Sequence, residues 1–223
     1  MISGTLRQYT PACVGLAFAT LLATCLTVSA HAETETRATA PFHAVSFQGS
    51  WSIDVTVGKG QSVVIEGDKD VLQYVRSEVV DGQLRISLQT DGKRRWDDLD
   101  TSKLKAHITV PTLTAFALRG SGTASVVGLS GGTTQFALDG SGDLTADGRL
   151  DALALVVNGS GNADLSRLVA GKATATINGS GDATVRPNES LAAAVNGSGQ
   201  VTYIGDNTKV TSVVNGSGGV EKQ

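Results

Sequence analysis

The sequence predicts an all-β protein: a β-solenoid, like a parallel β-helix, with coils of about 19–20 residues preceded by a β-rich portion. Three observations carry this reading. A glycine-rich phrase recurs at near-constant spacing, apolar residues alternate with period two on both sides of it, and no helical periodicity competes with that alternation. The phrase is Asn-Gly-Ser-Gly at Asn158, Asn178, Asn196 and Asn215, with the near copies Arg-Gly-Ser-Gly at Arg119 and Asp-Gly-Ser-Gly at Asp139. The six copies are separated by 20, 19, 20, 18 and 19 residues.

From the N-terminus, Arg7 precedes an apolar run from Ala12 to Ala30, and Ala30-His31-Ala32 offers a small-x-small cleavage pattern. Residues 1–32 therefore read as a secretory signal peptide. A membrane anchor fits the length and flanks less well. A lipoprotein signal ending at Cys25 is disfavoured by Thr24 just before it and by the apolar run continuing past it. Cleavage after Ala32 leaves 191 residues (223 − 32) without Cys13 or Cys25, hence no disulfide or thiol chemistry. The formal charge becomes −4, the total of −3 less the single positive charge of Arg7. So mild an acidity leaves no footprint for nucleic acid. No transmembrane segment is expected after cleavage, and the expected location is the periplasm or the extracellular space.

Residues 33–41 read as a short linker, and 42–223 as a single domain. Its leading part, 42–112, alternates in "WSIDVTV" and carries a hairpin signal at Asp81-Gly82 between "VRSEVV" and "QLRISLQ". Residues 90–103 form a charged loop, in which Arg94, Arg95 and Trp96 are candidates for binding a partner.

Residues 113–223 hold the six coils. Leu118, Leu138, Val157, Ile177, Val195 and Val214 precede the six turns at one offset, and Ala124, Leu144, Ala163, Ala183, Val201 and Val220 follow them at another. One such unit cannot bury its apolar face, whereas stacked copies can. The column Phe116, Phe136, Leu155, Ala175, Ala193 and Ser212 shrinks along the chain, which predicts a core narrowing toward the C-terminus.

The turns are expected at Gly120 and Gly122, Gly140 and Gly142, Gly159 and Gly161, Gly179 and Gly181, Gly197 and Gly199, and Gly216 and Gly218. Glycine reaches positive φ without a steric cost. Asn158, Asn178, Asn196 and Asn215 tolerate the same region and can share amide hydrogen bonds from coil to coil.

Other readings of these glycines fit less well. A dinucleotide fingerprint needs a third glycine and a following helix, and neither is present. Calcium needs six to eight oxygens, but only Asp143 and Asp182 of the six residues after the turns are acidic. No cofactor or metal is expected. "GLSGG" places Ser130 in a G-x-S-x-G pattern, yet a strand pattern follows it rather than a helix. Carboxylates group at Asp97, Asp98 and Asp100, and at Asp139 and Asp143. Glycoside chemistry would need such a pair across a cleft.

"F..V.F.G.W...V..G", "DGQLRI", "ITVPTLTAFALRGSG" and "NGSGDA" together resemble the bacterial family called autotransporter adhesin, head GIN domain. The resemblance covers Phe42 to the C-terminus. It implies a β-solenoid exported to the cell envelope and brings no catalytic residue with it. The expected function is a non-catalytic, adhesin-like envelope protein that binds an unidentified protein or glycan partner. The alternative is a polysaccharide-active β-helix enzyme. Because the last coil, "VTSVVNGSGGVEKQ", includes no polar cap, weak self-association through the C-terminal coil is also expected.

Overall fold

Alternating apolar residues become stacked strands when each aliphatic side chain meets the same column of the next coil. The computed structural model describes residues 33–89, 99–206 and 208–223. The expected signal peptide and the loop residues Arg94, Arg95 and Trp96 lie outside the described residues. In chain order the elements are β1 (Glu33–Thr36), β2 (Ala44–Gln48), β3 (Ser52–Val57), β4 (Ser62–Gly67), the one-turn helix α1 (Lys69–Leu72), β5 (Val75–Val80), β6 (Gln83–Leu88) and β7 (Lys105–Val110). The repeats follow as β8 (Ala115–Gly120), β9 (Thr123–Ser130), β10 (Thr133–Gly140), β11 (Asp143–Gly159), β12 (Asn162–Gly179), β13 (Asp182–Gly197), β14 (Gln200–Tyr203), β15 (Lys209–Gly216) and β16 (Gly219–Lys222).

These strands form one sheet wound into a solenoid of two parallel columns. The column before the corners runs β6, β2, β8, β10, then the C-terminal halves of β11, β12 and β13, and β15. The column after the corners runs β7, β3, β9, then the N-terminal parts of β11, β12 and β13, and β14 and β16. Register matches repeat to repeat: Leu118 pairs with Leu138, Leu138 with Val157, Val157 with Ile177, and Ile177 with Val195. The six corners thus bound five full turns.

The interior is the pair of inward-facing rows. Phe116, Phe136, Leu155, Ala175 and Ala193 are all buried, and the column tapers from aromatic to methyl as the coils ascend. Phe116 and Phe136 touch at 6.3 Å between ring centroids. Aromatic volume is thus concentrated in the lower coils, and the upper ones close around alanine.

Within residues 42–112, the strands β2, β3, β6 and β7 extend this parallel stack. Gln48 pairs with Arg119, so Gln48-Gly49-Ser50-Trp51 forms a corner directly beneath Arg119-Gly120-Ser121-Gly122. Here Trp51 stands where the repeats have their second glycine. Its ring packs edge-on against Phe47, with centroids 4.6 Å apart, and the residue is buried. Below this coil lie β6 and β7, which come later in the sequence but are stacked earlier. Parallel stacking stops there. β5 returns antiparallel to β6 through a two-residue hairpin loop, Asp81 at φ 51° and Gly82 at φ 73°. On the other column, β4 and then β1 continue antiparallel beyond β7. α1 follows β4 and buries Val71 and Leu72. No helix among the described residues is long and apolar enough to cross a membrane.

Candidate functional site

Both glycines of each corner lie where a Cβ would meet a carbonyl oxygen of the corner below, and only the first also needs a positive φ. The first has φ between 109° at Gly120 and 136° at Gly179 and Gly216, a region that a Cβ makes costly. The second, from Gly122 to Gly218, has no such backbone. A Cβ there would overlap the carbonyl oxygen of the corner below, that of Trp51 under Gly122 and that of Gly199 under Gly218. Close stacking of backbone on backbone excludes any side chain at these positions.

Outside each corner one polar residue per coil joins a continuous ladder. Arg119 Nε donates to Asp139 Oδ2 at 3.4 Å, and Asn158 Nδ2 donates to Asp139 Oδ1 at 2.6 Å. Asn178 then donates to Asn158 at 2.8 Å, Asn196 to Asn178 at 2.9 Å, and Asn215 to Asn196 at 3.0 Å. Asn162 Nδ2 donates to Asp143 at 3.1 Å in a second row. Asp139 and Asp143 therefore tie neighbouring coils together.

Three further carboxylates do similar work that the sequence reading missed. Asp147 accepts from the Gly128 amide at 3.0 Å, Asp151 from the Gly132 amide at 2.8 Å, and Asp182 from the Gln200 amide at 3.0 Å. Each spans one coil. The signal was available for the first two, since each aspartate lies one repeat length after its glycine. Two other carboxyls are held below the usual carboxylate range. At Asp100 the Ser102 hydroxyl and then its amide are responsible, and at Asp164 those of Ser166. Both contacts are local, between residues two apart.

Ser130 lines a cleft of about 420 Å³ at the end of β9, together with Val57, Pro111, Leu113, Thr114 and Thr134. The lining contains no imidazole and no carboxylate. His43 packs against Gly82, and His107 lies between Asp54 and Glu66, 3.5 and 3.7 Å away. β10 follows Ser130, so the strand-to-helix elbow of a serine hydrolase is not formed. A second cleft, of about 450 Å³, brings Arg85 and Arg119 together with Ser46, Gln48 and Glu78. Among the described residues no three His, Cys, Asp or Glu side chains cluster as metal ligands.

The two outer faces differ in chemistry. On the column before the corners, Ser46, Ala117, Ala137, Val156, Thr176, Ala194 and Val213 form one outward row, each beside the next. The neighbouring row is Ala44, Ala115, Gln135, Ala154, Thr174, Ala192 and Thr211. Neither row carries a charge. The column after the corners presents Asp54, Ser125, Thr145, Asp164, Thr184 and Thr202 instead. Period two hides this contrast in the sequence, because it appears only when outward positions are read from coil to coil.

No curated protein matches the chain. Several solved structures share its fold. A "putative adhesin" from Bacteroides fragilis aligns with a TM-score of 0.68 at 23% identity, covering 87% of this chain and 98% of that one. A "putative lipid binding protein" from Parabacteroides distasonis aligns at 0.54 and 20%, covering 86% and 96%. A "putative adhesin" from Parabacteroides merdae aligns at 0.51 and 20%, with the same coverage. All three are described by adhesion or binding and none as an enzyme. Residues 41–207 match a family pattern, a span that begins just before the Trp51 corner and extends past the Asn196 corner. The chain accordingly belongs to the family described as "putative auto-transporter adhesin, head GIN domain".

Proposed function

We propose that this chain is a non-catalytic protein, exported to the cell envelope, that attaches to a glycan or protein surface through two uncharged outward rows on β8, β10, β11, β12 and β13. One observation carries the reading. Two adjacent outward rows, from Ala115 and Ala117 to Ala192 and Ala194, expose methyl groups and threonine hydroxyls with no charge among them. Methyls in stacked rows suit the flat apolar face of a sugar ring or another sheet, and interspersed hydroxyls supply hydrogen bonds. Exposed apolar area of this kind marks interaction surfaces on soluble proteins. The outward row after the corners, which carries Asp54 and Asp164, does not offer the same surface.

The enzyme alternative requires a cleft with paired carboxylates. Asp139 and Asp143 are engaged in the inter-coil ladders. The Ser130 cleft is lined by backbone, aliphatic groups and threonines. A further cleft of about 480 Å³ does bring Asp151 and Glu189 together with Arg149 and Lys172, but Asp151 there accepts from the Gly132 amide and ties two coils.

Binding of the labelled protein to isolated envelope material, to a glycan panel and to phospholipid vesicles tests the proposal. Vesicles belong in the panel because one protein of this fold is described as a lipid binder. Ala137→Lys with Thr176→Lys should abolish binding, and Asp164→Lys on the other face should not. Arg94, Arg95 and Trp96 changed together to alanine test the charged loop separately. Binding lost only with Asp164→Lys, or release of reducing ends from a polysaccharide, would overturn the reading.

A further inference from the structure

We propose that the C-terminal coil is a self-docking surface on which a second copy of this chain pairs tail to tail, β15 against β15, about a two-fold axis midway between Ser212 and its copy. This rests on features separate from the attachment face above.

β15 pairs only with β13 and β16 only with β14, so among the described residues neither strand has a neighbour on its far side. All eight residues of β15 are exposed. In the coil below, Leu191, Ala193 and Val195 are almost fully buried. Their register partners are Val210, Ser212 and Val214. Val210 and Val214 point along the same inward columns, yet are 36% and 39% exposed. Val213, on the outward side, is 57% exposed. The surface therefore offers unpaired backbone groups and an open apolar core together, the combination that recruits another strand.

The opposite end of the solenoid is built differently. Its edge strands are β1, with Glu33 and Glu35, and β5, with Arg76 and Glu78. Charges along an edge protect it from pairing. Val210 to Val214 contain no charge at all. Head-to-tail stacking would set the uncharged segment from Val210 to Val214 against a charged edge strand. Tail-to-tail pairing sets it against itself, which is the isologous geometry of a closed dimer.

Inward residues must meet inward residues, and this fixes the register. In an antiparallel pair centred on Ser212, Val210 faces Val214 of the partner subunit, and Val214 faces Val210 of the partner subunit. The two open cores then close on each other. Lys209 falls opposite Asn215 of the partner subunit, so no like charges are opposed. Ser212 alone faces its own copy.

That self-pairing gives a specific test. The protein is expressed from the full chain and studied by sedimentation velocity over a wide concentration range. Wild type should show a reversible monomer–dimer equilibrium. Ser212→Lys places two like charges opposite each other and should weaken the dimer by about a hundredfold. Ser212→Glu should do the same. An equimolar mixture of the two variants should recover dimerisation, because each lysine then faces a glutamate. Ser212 is exposed on the last coil, so circular dichroism and thermal midpoints of the variants should match wild type. A wild type that is monomeric at every concentration overturns the proposal. So does a dimer indifferent to both variants, which would place the interface elsewhere, or a mixture that stays monomeric, which would exclude the Ser212 axis.

Discussion

Gly179 offers a direct measure of what holds the corners together. Its φ is 136°, and an added Cβ would overlap the Gly159 carbonyl oxygen and lie 3.0 Å from the carbonyl carbon. That same oxygen accepts hydrogen bonds from the Ser180 amide at 2.9 Å and the Gly181 amide at 3.1 Å. Gly179→Ala therefore combines three costs. Positive φ costs about 1–2 kcal/mol for a residue with a Cβ. Forcing backbone aside costs about 1–3 kcal/mol. Disturbing two hydrogen bonds costs up to about 0.5–1.5 kcal/mol each. Because the terms share one displacement, about 3–6 kcal/mol is expected rather than their full sum. Gly131→Ala separates the terms, since Gly131 has φ 69° with nothing within 4 Å of its Cβ position. It should cost only the conformational part, about 1 kcal/mol. Urea unfolding reads the comparison. With a slope of about 2 kcal/mol/M, Gly179→Ala should lower the midpoint by about 1.5–3 M and Gly131→Ala by about 0.5 M. Equal midpoints would mean that inter-coil backbone contact contributes little, and the stacked-corner argument would fail.

Other expectations follow from single residues. Asn178→Ala removes the bond donated to Asn158 and the one received from Asn196, and should cost about 1–2 kcal/mol in urea unfolding. Trp51→Ala empties the space beside Phe47 and should cost about 3–5 kcal/mol. Asp164 titrates below 3.8 because Ser166 donates to it. Its contribution to stability is thus complete above that pH and is lost as the pH falls through the lowered value, and carboxyl NMR of Ser166→Ala should show the Asp164 titration moving up. Ser130→Ala should leave any ester hydrolysis unchanged, because no base lines its cleft.

How much of this was legible in the sequence depended on which residues stack. The six corners were plain, because Gly-Ser-Gly recurs and its aliphatic neighbours keep a fixed offset. The roles of the two glycines were not separable, since both answer to a carbonyl a full coil away and only the first to its own φ as well. The corner at Gln48-Gly49-Ser50-Trp51 was hidden because Trp51 replaces the glycine that would have marked it. Stacking order was hidden as well: β6 and β7 lie beneath β2 and β3 although they follow them in the chain. Asp147 and Asp151 each lie one repeat length after Gly128 and Gly132, a spacing visible in the sequence, but the hydrogen bonds themselves are visible only in the stacked coils. The uncharged outward rows required the register between coils, because no local window contains them.

The central claim is that each Gly-Ser-Gly phrase is one step of a parallel stack. Spin labels on the corner serines measure this most directly, as Ser121, Ser141, Ser160, Ser180, Ser198 and Ser217 occupy successive corners. Pairing Ser121 in turn with Ser180, Ser198 and Ser217 and recording dipolar distances should give a linear series. It should rise by about 4.8 Å per coil, to about 24 Å between Ser121 and Ser217. Distances that do not grow with coil number, or that return toward the start as in an antiparallel meander, would contradict the account.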